Sequence, residues 1–534
     1  MGRLRSIDLC IVIAYVAGLA ALGLRFSRRQ TSTETYFVAK RSIPAWAMGV
    51  SLLGTLITSV TFIAYPGSAY AKDWSLLVAG TMVVAVLFLV GFVIIPFYRE
   101  AVRMSAFEYI GWRFGHPARV YASLAFALGH LSKMAFVVYL LGLTVNSMTG
   151  WPIETVIVSL GFITIVYTWK GGIEGVIWTD VVQGFVLWAG VLASLGCLLY
   201  MAPGGPSAVF RLALEHNKFS LGDLRPDLSK PTVLVLLIYG FFWYVQKYTA
   251  DQTVVQRYLV AKSDRGALRG VALGACLCLP VWSLFMLVGT CTWAYFRLTG
   301  EALPKFVTKA DQVFPYFVST HLPPGAAGFF VAALFGAAMC SLASDLNSFA
   351  VVGVEDIYRR LNPRSGDASR LRAGRLIVGF CGAVCIGAAL LLARMQGSAL
   401  AVWYTVSAIT GCGLVGLFLL AFLNSRTGPV AAYCGIAVSL LLTAWAAATL
   451  QEKRLIDLGR FNFPWHDYMI GAVGNLALLA AGFAVSLIIP ARAAGAAPIT
   501  LWSWMKNRRL GTSNDSQGVS TGCERPLANR AIAE

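Results

Sequence analysis

Charge is what this chain has least of, and acidic charge above all. Asp and Glu together supply 25 of 534 residues and His 5, against 43 Lys and Arg. Charged residues make up 13% of the chain and hydrophobic ones 57%, with a mean hydropathy of +0.69. Polar surface on that scale cannot cover a water-soluble globule of this length, which excludes a soluble enzyme or binding module. Zinc-ligand spacing is missing too: all of the 11 cysteines except Cys523 fall in or beside apolar runs. They read as small packing residues, and Cys381 and Cys385, one helical turn apart, need neither a disulfide nor a metal. The net charge of +18 would suggest nucleic acid in a soluble protein. Here its arrangement along the loops is the informative part, and no nucleic-acid partner is expected.

Long apolar runs are abundant. Each membrane-spanning helix must cover a hydrocarbon core of ~30 Å with its backbone satisfied internally, which takes about 18 or more apolar residues. The sequence gives about 13 such runs, at 7–26, 44–70, 75–98, 120–148, 151–167, 176–201, 231–248, 271–296, 325–358, 376–394, 399–423, 430–450 and 468–490. The fold class is therefore an all-α polytopic membrane protein, with one transmembrane domain over 1–490. The tail, 491–534, is rich in Gly, Ala and Ser and is expected to be cytoplasmic and largely disordered. The first run follows Arg3 and Arg5 as a signal peptide would, but it lacks a convincing cleavage site and leads into Arg25, Arg28 and Arg29. It is read as retained.

Basic residues gather on alternate loops: Arg25 to Arg41, Arg99 to Arg119, Arg257 to Arg269, Arg359 to Arg375, and Lys506 to Arg509. The positive-inside rule makes that face cytoplasmic, leaving the N-terminus outside and the C-terminus inside a plasma or inner membrane.

Lys133 is the most telling residue. It sits near the middle of the run 120–148, which contains no acidic residue. A cation at the bilayer centre costs at least ~2.5–3.5 kcal/mol on insertion scales, so such residues face cavities and act on what passes through. With about thirteen residues on either side at 1.5 Å rise each, neither interface is within reach of a lysine stem. Lys133 is thus a candidate anchor for a small anionic solute, the other reading being a structural group donating to backbone carbonyls. His130, three residues earlier, is either a second pathway group or a packed core histidine.

The segment GVSLLGTLITSVTFIAYPG, 49–67, is unusual for a lipid-facing helix. Gly54, Thr55, Thr58, Ser59 and Thr61 put small and hydroxyl groups at the midplane, and Pro66 and Gly67 interrupt the far end. Such a segment can unwind, offering carbonyls to a cation and half-helix amides to an anion; close helix packing by small residues is the competing explanation. A second polar cluster, Cys340, Ser341, Ser344, Asp345, Asn347 and Ser348, occupies one spanning helix and suits sodium, which takes hard oxygen ligands. Asp180 is either an ion or proton relay or, so near a helix end, a solvated structural acid. Phe241, Phe242 and Trp243 wall a cavity or merely pack.

Four motifs in order, TETYFVAKRSIPAWAMGVSLLGT, VIWTDVVQG, TADQTVVQRYLVAKS and AAMCSLASDLNS with EDIYRR, resemble the sodium:solute symporter family over most of 36–360. The resemblance implies a leucine-transporter-like fold of two inverted five-helix repeats, spans two to six and seven to eleven, working by alternating access. It implies Na+ as the coupling ion, held by backbone oxygens of Gly54, Ile57 and Ala337 and by the side chains of Cys340 and Ser341. Cys340 stands where the family usually has a hydroxyl, and a thiol is a poor sodium ligand. A second sodium site or ion path would use Asp180 and Ser344, but Ala343 offers no side-chain oxygen there, which favours one coupled sodium over two.

Within the family, the run from Tyr65 to Trp74 and HLSKM around Lys133 is most similar to the sialic-acid transporter branch. There Lys133 resembles the position of an arginine that clamps the substrate carboxylate, with Thr58, Ser59 and Thr61 from the broken helix nearby. Lysine keeps the charge without the two-pronged geometry. Gly80 and Leu76 stand where that branch has a polar amide and an aromatic, and the glycine is expected to widen the pocket or admit backbone contact.

The expected function is import of a small carboxylate or sugar acid, sialic acid among the candidates, by a sodium-coupled symporter that is not an enzyme. The alternative is a neutral sugar, polyol or amino acid with Lys133 as an internal tether. A membrane sensor is the third reading. The bilayer and the solute are the expected partners, with a monomer possible. An unpaired Lys133 would be removable, so Lys133→Ala is expected to fold normally.

Overall fold

The computed structural model describes residues 5–102, 104–305, 307–395, 411, 413–450, 455–489 and 500–515. The helices that matter below are α1 (Ser6–Arg25), α2 (Ala45–Leu56), α3 (Ser59–Ala71), α4 (Ser75–Ala101), α5 (His116–Thr149), α6 (Ile153–Met201) and α7 (Val233–Thr249). They continue with α8 (Gln252–Val260), α9 (Asp264–Thr299), α10 (Ala326–Val352), α11 (Asp367–Arg394), α12 (Leu414–Leu423), α13 (Pro429–Ala448), α14 (Met469–Ile488) and α15 (Leu501–Asp515).

Among the described residues nine single helices are long and apolar enough to cross a membrane. Two bent pairs join them, α2 with α3 at 61° and α7 with α8 at 47°. The 49-residue α6 holds two of the expected spans, divided where Gly172 adopts φ 58, ψ −164, a backbone state that L side chains resist. The run expected at 399–423 lies outside the described residues up to position 410 and ends in α12. The chain is thus a multi-pass, all-α membrane protein. The first bent pair opens a block of five spans; the second opens a block of which four spans, the α7–α8 pair, α9, α10 and α11, lie within the described residues.

The break in the first pair is not where proline suggested. Pro66 lies inside α3, whereas Ile57 (φ −99, ψ 121) and Thr58 (φ −118, ψ 174) are extended and separate the two halves. The Pro66–Gly67 step instead permits close approach: a Cβ on Gly289 would lie 2.2 Å from the Pro66 carbonyl oxygen. On the other half, Gly274 of α9 faces the Gly49 carbonyl so closely that a Cβ would meet it at 2.7 Å. Small residues let these backbones touch in lipid, where packing replaces the hydrophobic effect as the force between helices.

At the centre stands α10, in which every residue from Phe330 to Val352 is buried. Its alanines, glycines and serines admit α6 closely; a Cβ on Gly190 would sit 2.9 Å from that of Ala333. Buried Asp8 of α1 caps α10, its Oδ1 accepting from the amides of Gly325 (2.7 Å) and Gly328 (2.8 Å). A carboxylate at a helix N-terminus satisfies orphan donors and meets the positive end of the dipole.

Of the tail, residues 500–515 are described. Leu501–Asp515 is helical, and Trp504, 5% exposed, packs edge-on against Phe97 at 5.7 Å. The remainder of the tail lies outside the described residues.

Candidate functional site

The break between α2 and α3 frees two carbonyl groups. In an unbroken helix the Gly54 and Ile57 oxygens would accept from the amides of Thr58 and Thr61. Here the Thr58 amide donates to Thr61 Oγ1 (3.4 Å) and the Thr61 amide to the Thr58 carbonyl (2.9 Å). The carbonyl end of α2 is therefore turned over to other partners, and it carries the negative end of a helix dipole. The α10 cluster lies beside it: a Cβ on Gly54 would sit 2.6 Å from Cys340 Sγ and 3.9 Å from the Asp180 carbonyl oxygen. Thr55 Oγ1 is 3.3 Å from Ser344 Oγ, and the buried Ser341 hydroxyl has no protein partner. A buried hydroxyl is rarely left unpaired. Loose carbonyls, an unpaired hydroxyl and a dipole of the right sign fit a weakly held hard cation such as sodium.

Asp180 is not the solvated acid of a helix end. It is fully buried mid-helix, where Oδ2 accepts from Ser51 Oγ (2.6 Å) and lies 3.3 Å from the guanidinium of Arg257. Its Oδ1 has no protein partner. Arg257, which the sequence put on a cytoplasmic loop, is likewise fully buried in α8 and also donates to Ser344 Oγ (2.6 Å) and the Thr253 carbonyl (2.7 Å). Its partner is 77 residues away. Loop counting could not see that.

Lys133 is not unpaired. Its ammonium lies 2.7 Å from Asp345 Oδ2, and the carboxylate belongs to α10, beyond any window centred on the lysine. His130 Nδ1 is 2.8 Å from Asp345 Oδ1, and its Nε2 is 3.2 Å from Asp251 Oδ2. Asp251 caps α8 through the Thr253 amide (2.8 Å) and pairs with Lys247 at 2.5 Å. His130 is therefore a member of a polar chain, not packing alone. Within the Lys133–Asp345 pair, the lysine side chain keeps 15% exposure while Asp345 has none, so the ammonium is the part of that pair solvent can reach.

The hydroxyls of the broken helix differ in availability. Ser59 is buried and donates to the Val137 carbonyl (3.1 Å), which fixes the start of α3 one turn from Lys133 on α5. Thr58 Oγ1 accepts from the Val60 amide (3.2 Å), and Thr61 Oγ1 from the Thr58 amide. Both threonines act as acceptors there and keep a hydroxyl proton to donate to an anion.

Gly80 does not widen a pocket. A Cβ there would lie 2.8 Å from the Trp282 ring, which already occupies the space. Trp282 in turn stacks on Tyr65 at 6.1 Å and tilts against Tyr244 at 6.3 Å, an aromatic wall that no spacing in the sequence announced. Phe241 and Phe242 stand edge to face on α7 at 5.5 Å, with Phe241 38% exposed.

A membrane bundle with two broken helices, carbonyls freed at one half-helix end and hydroxyl-capped amides at the other, is the architecture of a secondary transporter. The chain belongs to the sodium:solute symporter family, whose profile matches residues 36–438, and it is a sodium-coupled symporter. It is 32% identical over 492 residues to the sodium/sialic acid symporter SiaT of Proteus mirabilis, covering 91% of this chain and 96% of that protein. It is 30% identical to the sodium/sialic acid symporter NanT of Aliivibrio fischeri, covering 90% and 92%. Among solved structures, it resembles a Na+-coupled sialic acid symporter in a substrate-bound outward-open state, with TM-score 0.84 and 30% identity over 91% of this chain and 99% of that one.

Proposed function

We propose that this chain imports a small sugar acid, sialic acid or a close relative, together with sodium. The observation that carries the reading is identity of 32% to a sodium/sialic acid symporter over nearly the whole of both chains. The broken helix adds physical support: the amide end of α3, capped by Thr58 and Thr61, lies one turn from Lys133, so a carboxylate would meet a helix dipole, two hydroxyl donors and an ammonium. Sodium would take the Gly54, Ile57 and Ala337 carbonyls with Ser341, and Cys340 at its edge; Asp180 and Ser344 would line its path. The work is coupling of two bindings to one conformational change, not catalysis. We place the N-terminus outside and the C-terminus in the cytoplasm, following the loop charges.

Pairing of Lys133 with Asp345 favours a second reading, a neutral or zwitterionic solute. An ammonium already matched at 2.7 Å attracts a further carboxylate less than a bare one would. Uptake by proteoliposomes separates the two. Labelled N-acetylneuraminate should enter under an inward sodium gradient and not a potassium gradient, and its carboxamide should fail to compete. Equal competition by acid and amide would remove the anion requirement.

A further inference from the structure

A basic pocket that takes no part in holding sodium or solute stands at the end of α1. Ser27, Trp169, Lys170 and Arg375 line a cavity of about 270 Å³. That is just below the ~300–1,000 Å³ of pockets that enclose a drug-sized ligand, so it suits a headgroup or an inorganic anion better than a whole solute. Three separate pieces of chain meet there. Ser27 belongs to the turn Ser27–Arg29 that follows α1, Trp169 and Lys170 come just ahead of the Gly172 break in α6, and Arg375 stands on α11. Close backbone approach holds the cradle together. A Cβ on Gly171 would lie 2.7 Å from the Gly23 carbonyl oxygen of α1, and one on Gly172 would lie 2.9 Å from both Gln30 Oε1 and the Tyr36 ring.

The cations of this pocket have donors to spare. Arg375 spends one N–H on the Gln30 carbonyl (3.0 Å), its Nε has no protein partner, and its guanidinium carbon stands 5.8 Å over the Tyr36 ring, which fixes the group at the pocket wall. Lys170 and Trp169 are exposed. The acids nearest in sequence on the same helices are already engaged: Glu174 lies 3.4 Å from Arg29, and Asp367 accepts from the Thr33 amide at 3.2 Å. Two cations that no carboxylate among the described residues matches make a positive pocket. Its complement is a phosphate group, whose oxygens take paired hydrogen bonds from a guanidinium. The apolar surround then selects among phosphates. Phe162, two turns before Trp169 on α6, is 63% exposed, and Leu376 and Phe380 on α11 are 72% and 71% exposed. In a membrane bundle such residues face acyl chains, while a tryptophan beside them sits at headgroup level.

We propose that this pocket binds the phosphodiester headgroup of an anionic phospholipid. Lys170 and Arg375 hold the phosphate, Trp169 marks the interface beside it, and the acyl chains run along Phe162, Leu376 and Phe380. Basic pockets between spanning helices are where anionic headgroups seat, and juxtamembrane basic residues add to the attraction. Arg28 and Arg29 supply that surround on either side of the turn. A lipid held here joins α6, the last helix of the first block, to α11 in the second, so it is a ligand of the assembled bundle and stabilises it by binding.

The test uses the full chain, delipidated in detergent, with phosphatidylglycerol, phosphatidylcholine or inorganic phosphate added, read by native mass spectrometry and by thermal unfolding. Phosphatidylglycerol should stay bound after the detergent is stripped and should raise Tm; phosphatidylcholine and inorganic phosphate should do neither. Lys170→Gln and Arg375→Gln should each lower phosphatidylglycerol retention by about 5-fold. Lys262→Gln with Arg265→Gln, which removes two exposed charges from another basic loop, should leave it unchanged. Equal retention of the two lipids overturns the proposal, as does a loss in the Lys262 and Arg265 variant that matches the pocket variants. Displacement of phosphatidylglycerol by an equal concentration of inorganic phosphate assigns the pocket to a soluble anion and overturns the lipid reading. Should Arg375→Gln fold poorly for want of its Gln30 and Tyr36 contacts, Lys170→Gln at an exposed position and the lipid preference of the wild type decide the matter, and no readout needs a transport substrate.

Discussion

The ammonium of Lys133 and the carboxylate of Asp345 lie 2.7 Å apart, one partly reachable and the other sealed. Removing either leaves its partner as an uncompensated buried charge, which costs about 3–5 kcal/mol. Lys133→Ala should therefore lower the unfolding temperature in detergent, contrary to what an unpaired lysine would do. The double variant Lys133→Met with Asp345→Leu should regain most of the lost stability while abolishing uptake. A single variant as stable as the wild type would show that the pair is not formed in the native protein.

Gly54 leaves no room for a side chain, since a Cβ would lie 2.6 Å from Cys340 Sγ. Gly54→Ala is expected to abolish the rise in unfolding temperature caused by sodium over potassium. Adding Cys340→Ala should relieve the clash and restore stability without fully restoring the sodium response, because the carbonyl geometry at the break would remain altered. Full recovery of both would make the defect purely steric.

Replacing a soft thiol by a hard hydroxyl bears on the same site from another direction. Cys340→Ser should bind sodium several-fold more tightly, read as a larger thermal shift at a given sodium concentration, since a ligand stabilises the state it binds. Equal shifts in sodium and potassium for both proteins would remove Cys340 from the ion site.

For Asp180 and Arg257, both wholly buried, the asymmetry of loss decides the outcome. Asp180→Asn strands the guanidinium and should destabilise by about 3–5 kcal/mol, with expression yield in membranes falling accordingly. Asp180→Asn combined with Arg257→Met should be better tolerated than Asp180→Asn alone. Additive losses in the double variant would speak against direct coupling.

At Gly80 the prediction concerns volume. Gly80→Gln forces a side chain into the Trp282 ring and should cost about 1–3 kcal/mol by overpacking. Gly80→Gln with Trp282→Ala should recover stability and shift competition toward bulkier sugar acids in the uptake assay. An unchanged inhibitor profile would take this wall out of the substrate pocket.

The membrane class, the spans that fall on described residues and the family were legible, because lipid imposes a run length on every helix and the four motifs survive as local strings. The first break was legible as a region, through Gly54, Thr55, Thr58 and Thr61, but proline misdirected its position. In a helix otherwise satisfied by its neighbours, Pro66 withdraws one donor and can stay in place. What escaped was pairing across sequence. Asp345 stood among candidate sodium-site residues while its partner stood 212 positions earlier, with no local pattern to connect them. Arg257 was misread for the same reason: a basic residue near other basic residues resembles a loop until the carboxylate 77 positions earlier is brought to it. Gly80 shows the converse, an open space in the string that a tryptophan from another helix has filled.

The short helix α15 reaches back past its own neighbourhood. Trp504 seats on Phe97 at the end of α4, in the first block, and Arg508 lies 3.6 Å from Asp264 at the start of α9, in the second. The segment works as a rivet across the seam between the two halves. Reporter proteins or affinity handles are therefore best joined beyond Asp515, since shortening the chain ahead of Thr500 would remove one of the rings that cover Phe97 and the Arg508 contact with Asp264.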